Sequence, residues 1–215
     1  MLLTKHYYSR YTIVDLNPDA YAMIIQYLYN IDISLVNKVK IVETLCKITV
    51  RFGELLPHYV DKYNILNILC HICSSRSKVE DYCNTIGMEH QQISNDWSIL
   101  RSSCLSNIND IILTLGIHSN RYILQILDIA LGVLEYERDT IILLKRSALY
   151  LLHTIIFLNK TYGRYGNVKI ETRKILMEKI RYAKVVLQNF LVNGIDVKDD
   201  MVCKYHIQSC LELMV

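Results

Sequence analysis

Apolar residues that recur at intervals of three and four constrain this chain more than any other feature of its sequence. In RSSCLSNINDIILTLG, at residues 101–116, a basic residue and two serines precede an apolar stripe, and a glycine follows it. This is the spacing of the buried face of an α-helix. KRSALYLLHTIIFL, at residues 145–158, repeats the order of basic residue, serine, small residue and apolar run. A helix that recurs at an interval of about forty residues predicts stacked helical repeats.

Residues that interrupt helices are scarce in this chain. Its 215 residues include seven glycines and two prolines, whereas sheet-rich folds need many turn-forming residues. Hydrophobic residues make up 52% of the sequence, which favours a packed core over disorder. We therefore predict an all-α fold, an armadillo- or HEAT-like α-solenoid of about eight helices in stacked antiparallel pairs. A globin-like fold or a closed bundle would also be all-helical, but the two similar blocks favour the solenoid.

Capping residues and helix breakers give the expected helix boundaries. Asn17, Ser34, Asn95 or Asp96, and Ser119 are candidate N-caps, and Pro57 opens the third helix. The eight predicted helices cover residues 18–30, 34–53, 57–74, 97–116, 119–136, 139–159, 170–193 and 198–214.

The chain is expected to form a single domain over residues 1–215. Residues 76–97 are polar and show little periodicity, so we interpret them as a mobile insertion, or as a loop that hides a short helix near Val79–Ile86. The first helical repeats would then occupy residues 1–75, the middle repeats 98–160 and a C-terminal helix pair 161–215.

Two groups of cysteine and histidine could carry chemistry. Cys70, His71 and Cys73 are followed by Cys83 and His90, but the second paired knuckle of a structural zinc site is missing. A second group, Cys203, His206 and Cys210, shares one helix face, and Cys–His catalysis would need a third orienting group and an oxyanion donor. Because cysteine often packs as a small hydrophobe, we interpret both groups as core residues and predict no metal site.

Other signals of catalysis or of cofactor binding are missing from the sequence. It contains no glycine-rich phosphate loop and no nucleophile-elbow or zinc-protease motif, so we expect no cofactor and no enzymatic activity. The net charge of +3 is too small to predict nucleic-acid binding. We expect no transmembrane span, since charges interrupt the longest apolar run, 141–158. The opening residues lack the apolar core of a signal peptide, which predicts a cytoplasmic location with reduced thiols.

The predicted seventh helix carries the best charged surface. At about 100° per residue, its four basic residues fall within an arc of about 100°, opposite the apolar side. They form either a solvated outer face or a docking stripe for an acidic partner segment. These candidate partner-binding residues are Arg173, Lys174, Arg181 and Lys184.

A second set of residues is predicted to pack neighbouring repeats together. Arg101, Lys145 and Arg146 are expected at helix N-termini, where the helix dipole does not favour positive charge. Pairing with an acidic group of the next repeat would explain them. Ser103 and Asn107 complete this repeat-packing set.

Five blocks of the chain resemble, in the same order, the C-terminal region of the transport and Golgi organization protein 6 family. The most specific is RSSCLSNINDIILTLG, which is similar to the family's Arg-Ala-Ser-Ser-Leu-Ser-Asn-Leu-Gly-Glu-Leu. The resemblance implies an armadillo-like helical scaffold without catalytic residues, with yeast relatives that act in RNA polymerase II assembly and nuclear import. The five blocks cover residues 15–28, 36–63, 101–116, 145–156 and 199–214.

These observations give a leading functional hypothesis and two alternatives. The leading one is a non-enzymatic adaptor that binds other proteins, by resemblance RNA polymerase II subunits or transport factors, with roles in nuclear import or in protein secretion and Golgi organization. The first alternative is a peripheral membrane-surface module that uses the basic face of the seventh helix. The second is an enzyme that uses a Cys–His pair.

Overall fold

A computed structural model describes residues 18–30, 32–74, 90–136, 141–162, 169–193 and 200–214. Within these ranges the chain forms nine α-helices and no strand, which confirms the all-α prediction. The candidate cap Asn17, the region around Val79–Ile86 and most of the turn at 161–169 lie outside the described residues.

Two of the turns between the helices are 3₁₀ segments, Gly53–Leu55 and Gly116–Arg121. The nine helices are α1 Pro18–Tyr29, α2 Leu35–Val50, α3 Leu56–Lys62, α4 Ile65–Ser74, α5 His90–Leu115, α6 Ile123–Tyr136, α7 Ile142–Tyr162, α8 Ile170–Asn193 and α9 Met201–Leu213.

The helix contacts form two rows. In the first row α1 packs on α2, α2 on α5, α5 on α7, and α7 on α9. In the second row α4 packs on α6, and α6 on α8, while α3 contacts both α2 and α4. The rows are joined because α4 contacts α5, α6 contacts α7, and α8 contacts α9. The chain thus passes from one row to the other and back as it advances.

Helices α7 and α9 of the first row run in the same direction, and so do α6 and α8 of the second row. Along α7 and α9, Arg146 contacts Asp200, and Lys160, further on, contacts Leu213. In the second row Asp128 and Glu135 of α6 contact Lys179 and Tyr182 of α8, in the same order. Since a helix in the other row lies between each such pair, the intervening helix returns the chain before the next parallel neighbour begins.

The apolar stripe predicted for residues 101–116 is confirmed. In α5 every apolar residue of the stripe is at most 3% exposed, and it faces α2, α4 and α7. The stripe of α4 is buried in the same way, which leaves His71 on the exposed side. The α5 stripe consists of Cys104, Leu105, Ile108, Ile111, Ile112 and Leu115.

The predicted helix 57–74 is wrong as one element, because it divides into α3 and α4. The break lies at Asn64, whose φ of +53° is in the left-handed region. Asn tolerates this conformation better than most residues, since its short amide can bond locally. Asn67 donates such a bond to the Asn64 side chain. Two residues therefore interrupt a helix that periodicity alone would continue.

The predicted starts of two other helices are also wrong. α5 begins at His90, so Asn95 and Asp96 lie inside it rather than capping it, and the predicted insertion 76–97 ends in helix. Ser119 is not an N-cap: its hydroxyl donates to the Gly116 carbonyl at 2.7 Å within a 3₁₀ turn. By contrast, the Ser34 cap is confirmed, since its side chain accepts a bond from the Asn37 backbone N–H at 3.4 Å.

Helix α7 is the centre of the fold. By length and composition it is the one described helix that could cross a membrane, but 61% of its apolar window is buried inside the fold. α5, α6 and α9 all pack on it, and Leu144, Leu149 and Leu152 are fully buried. The apolar side chains of α7 therefore pack against other helices, although Lys145 and Arg146 lie near its start.

Replacing Asn64 with valine should destabilise the fold, because a β-branched side chain strains a residue with positive φ. We expect the free energy of unfolding in urea to fall by about 1–2 kcal/mol. Asn64→Gly is the control, since glycine adopts this backbone freely and should stay within about 1 kcal/mol of the parent. Equal losses in both variants would show that the side-chain bond, rather than the backbone conformation, fixes the break.

Candidate protein-binding surface

Three serines mediate the closest polar contact between α5 and α7. The Ser102 hydroxyl lies 2.8 Å from the Ser147 hydroxyl and also donates to the Leu143 carbonyl at 3.3 Å. One turn later, Ser106 lies 3.2 Å from Ser147. Small side chains allow two helices to approach closely, and their mutual hydrogen bonds satisfy groups that are largely buried.

These contacts fix the register of the two parallel helices. The bonded residues are separated by 41 or 45 positions along the chain. A separation of 44 lies within this range, and it is the offset at which KRSAL (145–149) follows RSSCL (101–105). The similarity of the two sequence blocks therefore coincides with neighbouring positions in space.

Exposed apolar side chains line the same two helices. Ile99 and Leu113 are each 40% exposed on α5, and Leu143, Tyr150 and Phe157 are 38–43% exposed on α7. Positions seven apart lie on one side of a helix. In the register set by the serines, Ile99 is level with Leu143, Ser106 with Tyr150, and Leu113 with Phe157. We name these five exposed apolar residues, Ile99, Leu113, Leu143, Tyr150 and Phe157, the apolar ladder.

The ladder lies on the side of the first row that faces away from the second row. Around α5, Arg101 contacts α4, and the Asn107 carbonyl accepts a weak bond from the Cys46 thiol of α2 at 3.7 Å. At about 100° per residue, Ile99 points about 160° and Leu113 about 120° away from Arg101, on the side of α5 that carries the serines. The ladder therefore lies on the exposed side of the contact between α5 and α7, beside the serines.

Aromatic residues continue this surface onto α9. The Tyr150 and His206 rings are 5.3 Å apart between centroids, and Tyr205, which is 68% exposed, lies 5.5 Å from His206. His153 of α7 lies 6.2 Å from His206. Burial lowers the pKa of both histidines, and the charge of His153 lowers that of His206 further.

The junction between α7 and α9 also holds a bidentate ion pair. The Arg146 Nε donates to the Asp200 carboxylate at 3.0 and 3.2 Å, and a terminal nitrogen of the guanidinium donates as well. Asp200 is the N-cap of α9, where it accepts the Cys203 backbone N–H at 2.8 Å. Hydrogen bonds from Arg146 hold the pKa of Asp200 at about 2. Arg146 thus contacts an acidic group on the next helix of its row.

The other predicted repeat-packing residues occupy several kinds of position. Arg101 lies in the middle of α5, not at a helix N-terminus, and its Nε donates to the Cys73 carbonyl of α4 at 2.8 Å. Lys145 is buried near the start of α7. Asn107 donates to the Ser103 carbonyl at 2.8 Å and to its hydroxyl at 3.3 Å, so these two residues bond within one helix.

The four basic residues predicted for the seventh helix all lie on α8. Arg173, Lys174 and Arg181 are exposed, and Lys184 is half-buried. The opposite side of α8 is buried through Leu176, Ile180, Ala183, Val186 and Leu187. Ile175 is 44% exposed, because it lies at the edge of this buried side.

The described cysteines of the two groups, Cys70, Cys73, Cys203 and Cys210, are buried. Burial raises the pKa of Cys70, Cys203 and Cys210 to about 12, the direction opposite to activation of a nucleophile. Within the described ranges all cysteines are free and buried, and no three His, Cys, Asp or Glu residues are grouped to hold a metal ion. Cys83, one of the candidate ligands, lies outside those ranges.

No family model, no curated protein and no solved structure matches this chain. The comparisons therefore add nothing to the resemblance based on the five sequence blocks.

Sequence reasoning missed the apolar ladder, although a signal for it is present. Leu143, Tyr150 and Phe157 are seven residues apart, as are Ile99 and Leu113 with Ser106 between them. In a sequence that is half hydrophobic, such residues look like a continuation of the core stripe. Only the positions of α5 and α7 relative to their neighbours leave these residues exposed.

Asp200→Asn should make the fold less stable at pH 7, because the amide keeps the N-cap but loses the charge that pairs with Arg146. The pKa of Asp200 is lowered from 3.8 to about 2 in the fold, so its contribution is complete above pH 3.8 and disappears as the pH falls toward 2. In urea, the free energies of unfolding of the parent and of Asp200→Asn should become equal as the pH falls through that interval. Asp200→Ala should cost about 1 kcal/mol more than Asp200→Asn, because it also removes the cap. If the difference in free energy of unfolding between the parent and Asp200→Asn stayed constant down to pH 2, this explanation would be wrong.

The two histidines should make stability fall in mildly acid solution. Their pKa values are lowered from 6.5 in the fold, so the unfolded chain binds protons first and stability declines as the pH falls below 6.5. Thermal unfolding of His153→Gln/His206→Gln should show a weaker decline than the parent. The control His118→Gln changes an exposed histidine on a turn and should leave the decline unchanged. If the parent and the double variant showed the same dependence of thermal stability on pH, the two histidines would not be the cause of the decline.

Proposed function

We propose that this protein is a non-enzymatic helical-repeat scaffold of the armadillo or HEAT type that binds other proteins. The two rows support this assignment over a closed up-and-down bundle, in which successive neighbours are antiparallel and surround one core. Here α7 runs parallel to α9, and α6 to α8, as expected when one helix pair stacks on the next. The offset of 44 between the two similar blocks supports the same arrangement, since equivalent residues of consecutive repeats lie side by side.

The apolar ladder carries the proposal of protein binding. Exposed apolar side chains scattered singly are normal, but contiguous patches are a feature of interaction sites. The ladder residues form rungs about 10 Å apart along two parallel helices, since seven residues rise about 10.5 Å in an α-helix. A partner helix with apolar residues at the same heptad spacing would match the ladder along α5 and α7. We therefore assign this face to an amphipathic helix of another protein.

The resemblance to the transport and Golgi organization protein 6 family extends the proposal to a cellular role. By that resemblance, the partners are RNA polymerase II subunits or transport factors, and the role is polymerase assembly and nuclear import, or protein secretion and Golgi organization. This part rests on the five sequence blocks, of which two, residues 101–116 and 145–156, lie on the helices that carry the ladder. A cytoplasmic location with passage to the nucleus or to Golgi membranes belongs to the same proposal.

A peripheral membrane-surface module is the second candidate, and the basic face of α8 is the observation that favours it. Flotation with anionic vesicles at physiological salt separates the two candidates. A scaffold whose partners are proteins should remain in the unbound fraction.

Substituting the ladder should weaken partner binding without unfolding the protein. Phe157→Ser and Leu113→Ser should each reduce affinity about tenfold, because exposed residues of this size make the central contacts of an interface. Capture from cell extract followed by identification of the bound proteins should recover polymerase, import or trafficking components with the parent and lose them with the variants. Circular dichroism should show unchanged helix content, since surface substitutions have small effects on stability.

The matched control is Leu55→Ser. Leu55 is 43% exposed, as Phe157 is, but it lies on the 3₁₀ turn before α3. This variant should retain all partners. Retention of the same partners by both ladder variants would contradict the assignment of the ladder as the binding face.

A further inference from the structure

Two histidines lie at the edge of the apolar ladder, where α7 meets α9. The ring centroids of His153 and His206 are 6.2 Å apart, and the ring of Tyr150, a ladder residue, lies 5.3 Å from that of His206. Tyr205 contacts His206 from its own helix, at 5.5 Å between centroids. Both imidazoles are half-buried. A partner helix that covers Tyr150 would therefore also take water away from the two histidines.

The surroundings of His206 favour the neutral imidazole. A protonated imidazole donates from both ring nitrogens and therefore needs two acceptors. The Nδ1 atom of His206 is buried and has no hydrogen-bond partner among the described residues. Protonation of both rings would also place two positive charges close together, across the 6.2 Å between their centroids. In agreement with this geometry, burial lowers the pKa of both histidines, and the charge of His153 lowers that of His206 further.

The two helices that carry the histidines supply no free carboxylate to balance a protonated imidazole. Helix α7 contains no acidic residue. On α9, Asp200 accepts bonds from Arg146, and Glu212 accepts one from Gln208. The cations of these helices, Lys145, Arg146, Lys160 and Lys204, would oppose a further positive charge. The other titratable groups next to the histidines are Tyr150, Tyr205, Cys203 and Cys210, and burial raises the pKa of both thiols to about 12.

The other elements packed against α7 and α9 do not supply a counter-charge either. Asp128 and Glu135 of α6 contact residues of α8, Arg121 of the second 3₁₀ turn pairs with Asp61, and His118 of that turn is exposed. No charged group of these elements contributes to the lowered pKa of either histidine, since burial and the neighbouring imidazole are the causes. The remaining acidic residues on these elements are Asp96 and Asp110 of α5 and Glu171 and Glu178 of α8.

We propose that His153 and His206 make binding at the apolar ladder depend on pH, so that a partner helix binds while both imidazoles are neutral and is released when they are protonated. This inference rests on the proposed function of the ladder. An apolar helix placed over Tyr150 covers the histidines, and covering disfavours a charged imidazole more than a neutral one. Protons must therefore leave before the helix binds. The affinity is highest above pH 6.5, the ordinary pKa of histidine, and falls as the pH decreases through the range in which the two rings titrate.

The test uses the full chain and a designed helical peptide with leucine at heptad positions a and d, alanine and glutamine elsewhere, and both ends blocked. Because no group of this peptide titrates, any dependence of binding on pH comes from the protein. Fluorescence anisotropy, with a dye that does not titrate in this range, should give an affinity about tenfold lower at pH 5.5 than at pH 7.5. Circular dichroism at both pH values checks that the protein stays folded.

The variant His153→Phe/His206→Phe keeps an uncharged ring at each position and should bind with the same affinity at both pH values. The control His58→Gln/His118→Gln changes two exposed histidines, on α3 and on the second 3₁₀ turn, and should lose affinity in acid as the parent does. A second measurement needs no variant: in NMR titrations of the parent, the bound peptide should lower the pKa of both ladder-edge histidines.

The contrary outcomes separate this inference from the ladder assignment. If the parent bound the peptide equally at both pH values, or more tightly in acid, the inference would be wrong and the ladder assignment would stand. The same holds if His153→Phe/His206→Phe kept the parent's loss of affinity in acid, or if the bound peptide left both histidine pKa values unchanged. If the parent did not bind at pH 7.5, or if Phe157→Ser bound as tightly as the parent, the ladder assignment itself would be wrong, and this inference with it.

Discussion

The close, in-register contact between α5 and α7 is the constraint on which the rest of the structure depends. Ser102, Ser106 and Ser147 allow the two helices to approach and bond to each other at the same time. With that register set, α2 and α4 pack on the other sides of α5, and α6 and α9 on the other sides of α7. Larger side chains at these positions would separate the helices and shift every contact that follows along both rows.

Polar contacts add to this packing at two other helix junctions, between α5 and α4 and between α7 and α9. Arg101 bonds a carbonyl in the last turn of α4, and Arg146 bonds the carboxylate that caps α9. In both cases a cation on a first-row helix meets the end of another helix, where backbone groups lack partners within their own helix. Both bonds therefore join two helices and satisfy a helix end, which aligns the end of one element with the side of another.

Much of the fold could be predicted from the sequence, and the errors have physical causes. The buried stripes of α4 and α5 and the bounds of α8 follow from periodicity, because burying one face of a helix dictates a spacing of three and four. The break at Asn64 was missed because asparagine can adopt a left-handed conformation without interrupting the apolar pattern. The start of α5 was missed because its first turns are polar, and polar residues predict a loop as readily as an exposed helix. For the candidate surfaces, the charges of α8 could be placed on one side from spacing alone, whereas the apolar ladder could not be separated from the core.

The sequence by itself determined that this chain is helical, which residues of each helix are apolar, and that two blocks 44 residues apart are related. Those properties are local, since they depend on spacing within one helix and on the scarcity of glycine and proline. Only the tertiary structure decided which apolar residues are covered. Leu149 is buried and Tyr150 is exposed because α5 and α9 approach α7 from particular directions. Whether a side chain is exposed depends on helices that are far away in the sequence. The stacking of the helices therefore determines which faces are available to a partner.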